Sequence, residues 1–169
     1  YACELNKSSK VYSFEPSKEN FERLKSHKKL NKKSNLNIYN LGVAGDNGKR
    51  TFSLHSKNSG GHSLHTNKNS KNKIEIKTVR LSDFCKKEKI ETIDFLKIDC
   101  EGSEFEILKS DEKLLKRVNK IILECHPFEN NTASFIINLL KKYNFKVIKE
   151  SEEVADDRLQ MIYAIKNKI

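Results

Sequence analysis

Short apolar segments alternate with helical segments along most of the chain, and this alternation limits the folds that the chain can adopt. Residues 93–99 are the clearest apolar segment, and their composition is typical of a central parallel strand that is buried on both faces. Residues 120–125 form a second buried strand pattern, and residues 133–143 carry the apolar stripe of an amphipathic helix. Strands that alternate with helices predict an α/β fold with a Rossmann-like, doubly wound and mostly parallel sheet.

Two further features modify this sheet. Residues 46–48 (Asp-Asn-Gly) predict a hairpin turn ahead of residues 49–54, and residues 74–81 alternate between apolar and polar side chains, so we expect a hairpin insertion. Residues 145–149 and 160–166 predict a closing pair of antiparallel strands. The length of 169 residues suits one core and no internal repeat occurs, so we expect residues 1–169 to form a single domain.

Charge and cysteine content narrow the classes of function. The net charge is +10, and residues 1–80 hold 17 Lys and Arg but only 6 Asp and Glu. This asymmetry indicates either an anionic partner or merely a composition rich in Lys and Asn. No apolar run approaches the ~20 residues of a membrane span, and no interleaving of aromatic and basic residues favours nucleic-acid binding. The four cysteines form no CxxC pair, which favours reduced thiols and a cytoplasmic protein.

Acidic residues end three of the predicted strands. Glu15 follows the first strand, Asp99 and Glu101 follow residues 93–98, and Glu124 precedes His126. In doubly wound sheets, ligands bind at the carboxyl ends of the strands. Glu15 is placed to accept both hydroxyls of a ribose, although an ordinary carboxylate at a helix start would look the same. The spacing of histidines, cysteines and acids predicts no metal site.

Several blocks of the sequence resemble, in order, those of the FkbM-type methyltransferases. The most specific block is Lys-Ile-Asp-x-Glu-Gly-x-Glu at residues 97–104, and the resemblance extends from Val11 to His126. The five blocks are residues 11–16, 40–46, 59–64, 95–104 and 121–126.

This resemblance implies an enzyme that transfers a methyl group from S-adenosylmethionine to a hydroxyl of a sugar or another small molecule. It implies that Glu15 accepts the ribose hydroxyls beside Pro16, and that Asp99 lies near the methyl donor. The turn of Gly42, Val43 and Ala44 would lie near the adenine.

Three residues are candidates for handling the acceptor and its proton. Asp99 and Glu101 are expected at the mouth of the pocket, and His126 is placed to orient the acceptor hydroxyl or to take its proton, since its unperturbed pKa lies near 6.5. A purely structural histidine is the alternative. Glu104 and Glu106 are interpreted as helix-capping residues, with Ser103 and Glu106 forming a capping box.

The family's first strand and glycine-rich turn find no counterpart after Tyr1, so we expect an N-terminally incomplete domain. Two other functions stay open: a non-catalytic binding module with the same fold, and a nucleic-acid methyltransferase. Residues 56–73 predict a long polar loop that closes over an anionic acceptor such as a phosphorylated sugar, with lysines as its phosphate ligands (Lys57, Lys68, Lys71 and Lys73).

Overall fold

The computed structural model describes residues 2–5, 7–54, 72–126, 131–150 and 160–167. The helices in these ranges are α1 (Ala2–Leu5), α2 (Lys18–Leu30), α3 (Leu81–Lys87), α4 (Glu104–Ser110) and α5 (Ala133–Lys142), and a 3-10 helix (Glu112–Arg117) follows α4. The strands are β1 (Val11–Phe14), β2 (Leu36–Tyr39), β3 (Gly42–Val43), β4 (Gly48–Ser53), β5 (Lys73–Val79), β6 (Leu96–Ile98), β7 (Lys120–Cys125), β8 (Phe145–Glu150) and β9 (Gln160–Lys166). This order of strands and helices confirms the α/β fold class.

The described strands form three sheets. β1 and β2 are parallel, and β5 lies between β3, which runs parallel to it, and β4, which runs antiparallel. The largest sheet has the order β6-β7-β9-β8, in which β6 and β7 are parallel and the other pairs are antiparallel. The closing pair β8–β9 is therefore confirmed. The expected single, mostly parallel sheet is divided instead, because β1 and β6 each pair with one neighbour among the described strands.

The hairpin insertion is confirmed, but its predicted turn is not. β4 and β5 pair from Gly48 opposite Thr78 to Ser53 opposite Lys73. Residues 46–48 connect β3 to β4, which lie on opposite sides of β5, so the hairpin turn predicted there is wrong. Residues 55–71, which hold most of the predicted closing loop, lie outside the described residues, and Lys73 is the first residue of β5 rather than part of that loop.

The segment at residues 93–99 is shorter and less buried than its sequence predicts. Only Leu96–Ile98 forms a strand, and Ile93 makes an isolated bridge to Val118. Phe95 is 53% exposed and Lys97 is exposed as well. The prediction of a strand buried on both faces is wrong, because the face that carries Phe95 and Lys97 is exposed whereas Ile98 on the opposite face is 4% exposed.

The main core lies between the largest sheet and α5. The core cluster unites buried side chains of β7 and β9 with the predicted apolar stripe of α5, which is confirmed. The members on these elements that are 0% exposed are Ile121, Leu123, Cys125, Ile136, Leu140, Ile162 and Ala164. Each of the isoleucine and leucine side chains contributes about 1.5–3 kcal/mol by burial. No helix within the described ranges combines the length and apolar character needed to cross a membrane.

Helix α3 packs against the two-stranded sheet through aromatic rings. The Phe84 ring meets Tyr12, Phe14 and Tyr39 edge to face, with centroid distances of 5.7, 4.8 and 4.9 Å. Such pairs contribute about 0.5–1.5 kcal/mol beyond their burial. Since α3 follows β5, this contact ties the β1–β2 sheet to the insertion.

The start of α4 differs from the predicted capping box. Ser103 already has a helical backbone conformation, and its hydroxyl accepts no hydrogen bond from the helix. The Glu106 carboxylate is turned away toward Arg50, which donates to both of its oxygens, and toward the Gly45 amide. The capping box is therefore wrong, and Glu106 instead joins α4 to the insertion.

Candidate active site

A cavity of about 170 Å³ lies among the ends of strands from all three sheets. Its charged lining residues are Glu15 after β1, and Asp99 and Glu101 after β6; the remaining lining residues are Phe14, Pro16, Asn20, Leu41, Gly42, Val43, Phe52, Ile76, Cys100 and Ser103. The cavity is smaller than the roughly 300–1,000 Å³ of typical small-molecule sites, so it encloses only part of a nucleoside-sized ligand. Larger depressions flank α2, but they are open and lined mainly by charged surface side chains.

Glu15 is held at one end of this cavity by its own backbone environment. Its amide donates to the Tyr39 carbonyl oxygen at 3.0 Å, and its carboxylate accepts the Ser17 amide at 2.8 Å. The side-chain amide of Asn40 donates to the carbonyl oxygens of Glu15 and Pro16, at 2.8 and 3.0 Å. Burial raises the pKa of Glu15 above its usual value, and the hydrogen bond from Ser17 opposes this. The carboxylate is thus oriented and still has capacity to accept further hydrogen bonds.

Gly42 and Val43 form strand β3 rather than the predicted turn, and this strand forms one wall of the cavity. A Cβ atom on Gly42 would lie 2.8 Å from Ile76 Cδ1, so a side chain there would displace a residue that lines the cavity. Val43 lines the same wall. Ala44 does not line it: this residue is 1% exposed, and its amide donates to the Val79 carbonyl oxygen at 3.1 Å.

Asp99, Glu101 and His126 come together beside the cavity. One oxygen or nitrogen atom of each lies within 4.8 Å of those of the other two. His126 Nε2 is 3.5 Å from Glu101 Oε2, and Lys97 Nζ is 2.7 Å from Asp99 Oδ2. Burial raises the pKa of Glu101, while His126 opposes this rise. His126 does not line the cavity itself and reaches it through Glu101.

Glu104 has a different role from the helix cap that the sequence suggests. Its side chain is 0% exposed and accepts the amides of Cys100 at 2.8 Å and Gly102 at 3.0 Å. Glu104 Oε1, the oxygen that accepts the Cys100 amide, also lies 3.1 Å from His126 Nδ1. This hydrogen bond raises the pKa of His126, and burial opposes the rise. Sequence reasoning could not find the contact, because 22 residues separate the two partners.

Buried hydroxyl groups give a further indication of ligand binding. Within the described part of the chain, Ser103 Oγ is buried without a hydrogen-bond partner although Ser103 lines the cavity. Unsatisfied buried polar atoms are uncommon in folded proteins. The cavity therefore offers a ligand both the carboxylate oxygens of Glu15 and the hydroxyl group of Ser103.

The three grouped side chains also bear on the prediction that no metal is bound. Two carboxylates and an imidazole are ordinary ligands of divalent cations. One Asp99 oxygen is already paired with Lys97, and His126 Nδ1 is engaged by Glu104. Among the described residues, Asp99, Glu101 and His126 form a group whose ligand atoms lie close enough together to hold a metal ion. That the protein binds no metal stays a prediction.

Comparisons with known proteins show the family and the fold that the chain resembles. The sequence model of a protein family, described as the methyltransferase FkbM domain, matches residues 1–147. Methyltransferase sdnD of Sordaria araneosa is 31% identical over 101 residues, which cover 54% of this chain and 39% of that protein.

Two solved structures share the fold. Methyltransferase FkbM from Methylobacillus flagellatus matches with a TM-score of 0.63 and 14% identity, over 96% of this chain and 39% of that one. Precorrin-6y C5,15-methyltransferase from Geobacter metallireducens matches with a TM-score of 0.51 and 12% identity, over 98% and 71%. The chain thus spans about two fifths of the length of the curated relative. Because the family model covers most of its residues, the chain belongs to the FkbM methyltransferase domain family.

Proposed function

We propose that the chain forms the core of an S-adenosylmethionine-dependent O-methyltransferase that acts on a hydroxyl of a sugar or another small molecule. The observation that carries this proposal is the cavity between Glu15 and Asp99, with Glu101 and His126 beside its Asp99 end. Membership of the FkbM family supports it.

The cavity suits the proposed cofactor at both of its ends. Glu15 would accept the ribose hydroxyls, Pro16, Gly42 and Val43 would pack beside the base, and Asp99 would lie nearest the reacting part. The uncommitted capacity of the Glu15 carboxylate and the unpartnered Ser103 hydroxyl both fit a polar ligand. When bound, S-adenosylmethionine supplies an electrophilic methyl group, whose bond to sulfur breaks as a bond to the acceptor oxygen forms.

His126 is the residue that we assign to proton removal. Its raised pKa makes it a stronger base than an ordinary histidine, and Nε2 is the nitrogen that Glu104 does not contact and that faces Glu101 beside the cavity. After it has taken the hydroxyl proton, the imidazolium lies between the carboxylates of Glu101 and Glu104, which stabilise its charge. Asp99 and Glu101 align the acceptor by accepting hydrogen bonds from its other hydroxyls.

The charge of the chain favours an acceptor that carries a phosphate or another anionic group. Residues 1–80 hold most of the excess positive charge, which attracts anionic small molecules. The four free thiols fit a reducing, cytoplasmic environment.

Methyl transfer is tested on the full-length protein. The protein is incubated with S-adenosylmethionine and a panel of neutral and phosphorylated sugars, and products are detected by the added mass of one methylene group. His126→Gln should lower turnover by about 10²–10⁴-fold and leave cofactor affinity unchanged, because the base acts only in the chemical step. Asp99→Asn and Glu101→Gln should lower turnover and raise the Michaelis constant of the acceptor.

His27→Gln is the matched control, since His27 is exposed on α2 and does not line the cavity. Near-normal turnover of all three site variants would contradict the assignment and leave alignment alone as the source of catalysis. Cofactor binding without transfer to any acceptor would favour a binding module.

A further inference from the structure

We infer that Glu104 is a positioning residue that fixes two neighbours at once: the tautomer of His126 and the backbone turn that carries Glu101. This inference rests on the proposed function in which His126 takes the acceptor proton. A residue on the first turn of α4 would then control the basicity of a histidine that follows β7.

The burial of Glu104 shows how fully its carboxylate is committed. The side chain is 0% exposed, and the residues around it supply three hydrogen-bond contacts, from the Cys100 amide, the Gly102 amide and the His126 ring. Burying a carboxylate is unfavourable unless it is hydrogen-bonded. Two of these contacts hold the backbone turn around Glu101, and the third holds the His126 ring. The Glu104 carboxylate therefore fixes both the turn and the ring.

The turn after β6 needs such a support. Glu101 has a φ of 50° and Gly102 a φ of 101°, and the left-handed region is uncommon for a residue with a side chain. The two amides that donate to Glu104 flank Glu101 on either side. Their hydrogen bonds therefore hold the conformation in which Glu101 Oε2 lies 3.5 Å from His126 Nε2.

The same carboxylate selects the protonation state of the ring. In neutral histidine one ring nitrogen carries the proton and the other carries the lone pair. Both ring nitrogens face a carboxylate, but Glu104 Oε1 is 3.1 Å from Nδ1 whereas Glu101 Oε2 is 3.5 Å from Nε2. The shorter contact with the fully buried Glu104 favours the proton of the neutral ring on Nδ1, which leaves the lone pair on Nε2. Nε2 is the nitrogen beside Glu101 and the cavity, so the ring is held as a base that faces the acceptor.

The charged groups around the ring act in one direction. Glu104, Glu101 and Glu124 are the ionisable residues that affect it, and all three favour the protonated ring. The pKa of His126 therefore lies above its usual value of 6.5, although burial opposes the rise. Since Glu104 contributes most, its replacement should change this basicity more than the loss of either other glutamate.

The test compares Glu104→Gln with Glu106→Gln in the full-length protein. Gln keeps one carbonyl oxygen for the amides and the ring but removes the charge. Glu106 lies on the same helix and binds Arg50 and the Gly45 amide rather than the ring, so its variant controls for structural effects of losing a helix carboxylate. The measurements are turnover against pH and nitrogen NMR of the His126 ring, assigned with His126→Gln among the five histidines.

Turnover of the parent should rise with pH through a value above 6.5, because only the neutral ring accepts a proton. In Glu104→Gln this rise should move to lower pH, and maximal turnover should fall at least about tenfold, as for the loss of a group that orients a ligand or base. Glu106→Gln should leave both the position of the rise and the ring signals unchanged.

Equal pH profiles for the parent and Glu104→Gln, or equal shifts in the two variants, would overturn the inference. If Glu104→Gln does not fold, the parent spectrum decides: neutral His126 with its proton on Nδ1 supports the inference, and a proton on Nε2 overturns it. The spectrum does not depend on catalysis, so it separates a failure of this inference from a failure of the proposed function.

Discussion

At the scale of single residues, the site is a set of carboxylates with different surroundings. Glu15 is half-buried and accepts one amide, Glu101 stands on a left-handed turn beside His126, and Glu104 is fully buried with three contacts. In the proposed function these differences correspond to three tasks of chemically similar groups: cofactor binding by Glu15, alignment of the acceptor by Glu101 and positioning of His126 by Glu104. The exposed pair Lys97–Asp99 completes the group at the edge of the cavity.

Metal removal tests the role given to His126. In the proposed function the imidazole of His126 is a base rather than a metal ligand, since Glu104 contacts Nδ1 and Asp99 is paired with Lys97. Dialysis of the full-length protein against a chelator should therefore leave turnover unchanged. Loss of turnover that Mg²⁺ or Mn²⁺ restores would make Asp99, Glu101 and His126 a metal centre instead.

The residues of the site differ in how far the sequence predicts them. Glu15, Asp99 and Glu101 were predictable because these acids follow the carboxyl ends of β1 and β6, and ligands of doubly wound folds bind at the carboxyl ends of the strands. The contact of Glu104 with His126 was not predictable, because an acid at the start of a helix is already explained by helix capping. The separation of 22 residues between the two partners also hides the contact in the sequence. The hydrophobic wall formed by Phe52 and Ile76 was missed for a similar reason.

At the scale of elements, α4 is joined to the insertion by one ion pair. Arg50 on β4 donates to both oxygens of Glu106, and the Gly45 amide donates to one of them at 3.1 Å. A Cβ atom on Gly45 would lie 2.7 Å from the same oxygen, so a larger residue would displace the carboxylate. The insertion wall of the cavity is thus tied to the helix that carries Glu104.

This ion pair predicts an acid-sensitive contribution to stability. Arg50 lowers the pKa of Glu106, so its contribution is present above the unfolded value of 4.5 and is lost as pH falls through the lower folded value. Glu106→Gln should lower the free energy of unfolding by about 1–3 kcal/mol near neutral pH, and the difference should shrink in acid. Urea unfolding at several pH values measures it, provided that the transition is two-state.

Glu75→Gln provides the matched control for that measurement. Glu75 pairs with Lys49 on the same hairpin, but both side chains are well exposed, at 65% and 64%. Its loss should change stability by less than about 1 kcal/mol. An effect of Glu106→Gln no larger than that of Glu75→Gln would contradict the bridging role of the Arg50–Glu106 pair.

Element patterns were more predictable than their assembly. The apolar stripe of α5 and the antiparallel β8–β9 pair follow from local periodicity. The division into three sheets and the exposure of Phe95 depend on which strands become neighbours, which local patterns do not encode. The capping box failed because Glu106 has a stronger partner in Arg50, a contact made across 56 residues.

At the scale of the whole molecule, the cavity depends on the relative placement of all three sheets. Glu15 belongs to the first, Gly42 and Ile76 to the second, and Asp99 to the third. The edge-to-face contacts of Phe84 and the Arg50–Glu106 pair connect these units. The three sheets that line the cavity are therefore joined at two places, by the rings around Phe84 and by the Arg50–Glu106 pair.

The most direct test of the account is the affinity of the full-length protein for S-adenosylmethionine, measured by calorimetry for the parent, Glu15→Gln and Glu19→Gln. Glu19 lies four residues beyond Glu15 and pairs with Arg23 on the exposed surface of α2, so it is the matched control. The account predicts that the parent binds, that Glu15→Gln weakens binding by about 1–3 kcal/mol, and that Glu19→Gln binds like the parent. Equal affinities for the parent and Glu15→Gln would remove Glu15 from the site, and a parent that does not bind would contradict the cofactor assignment itself.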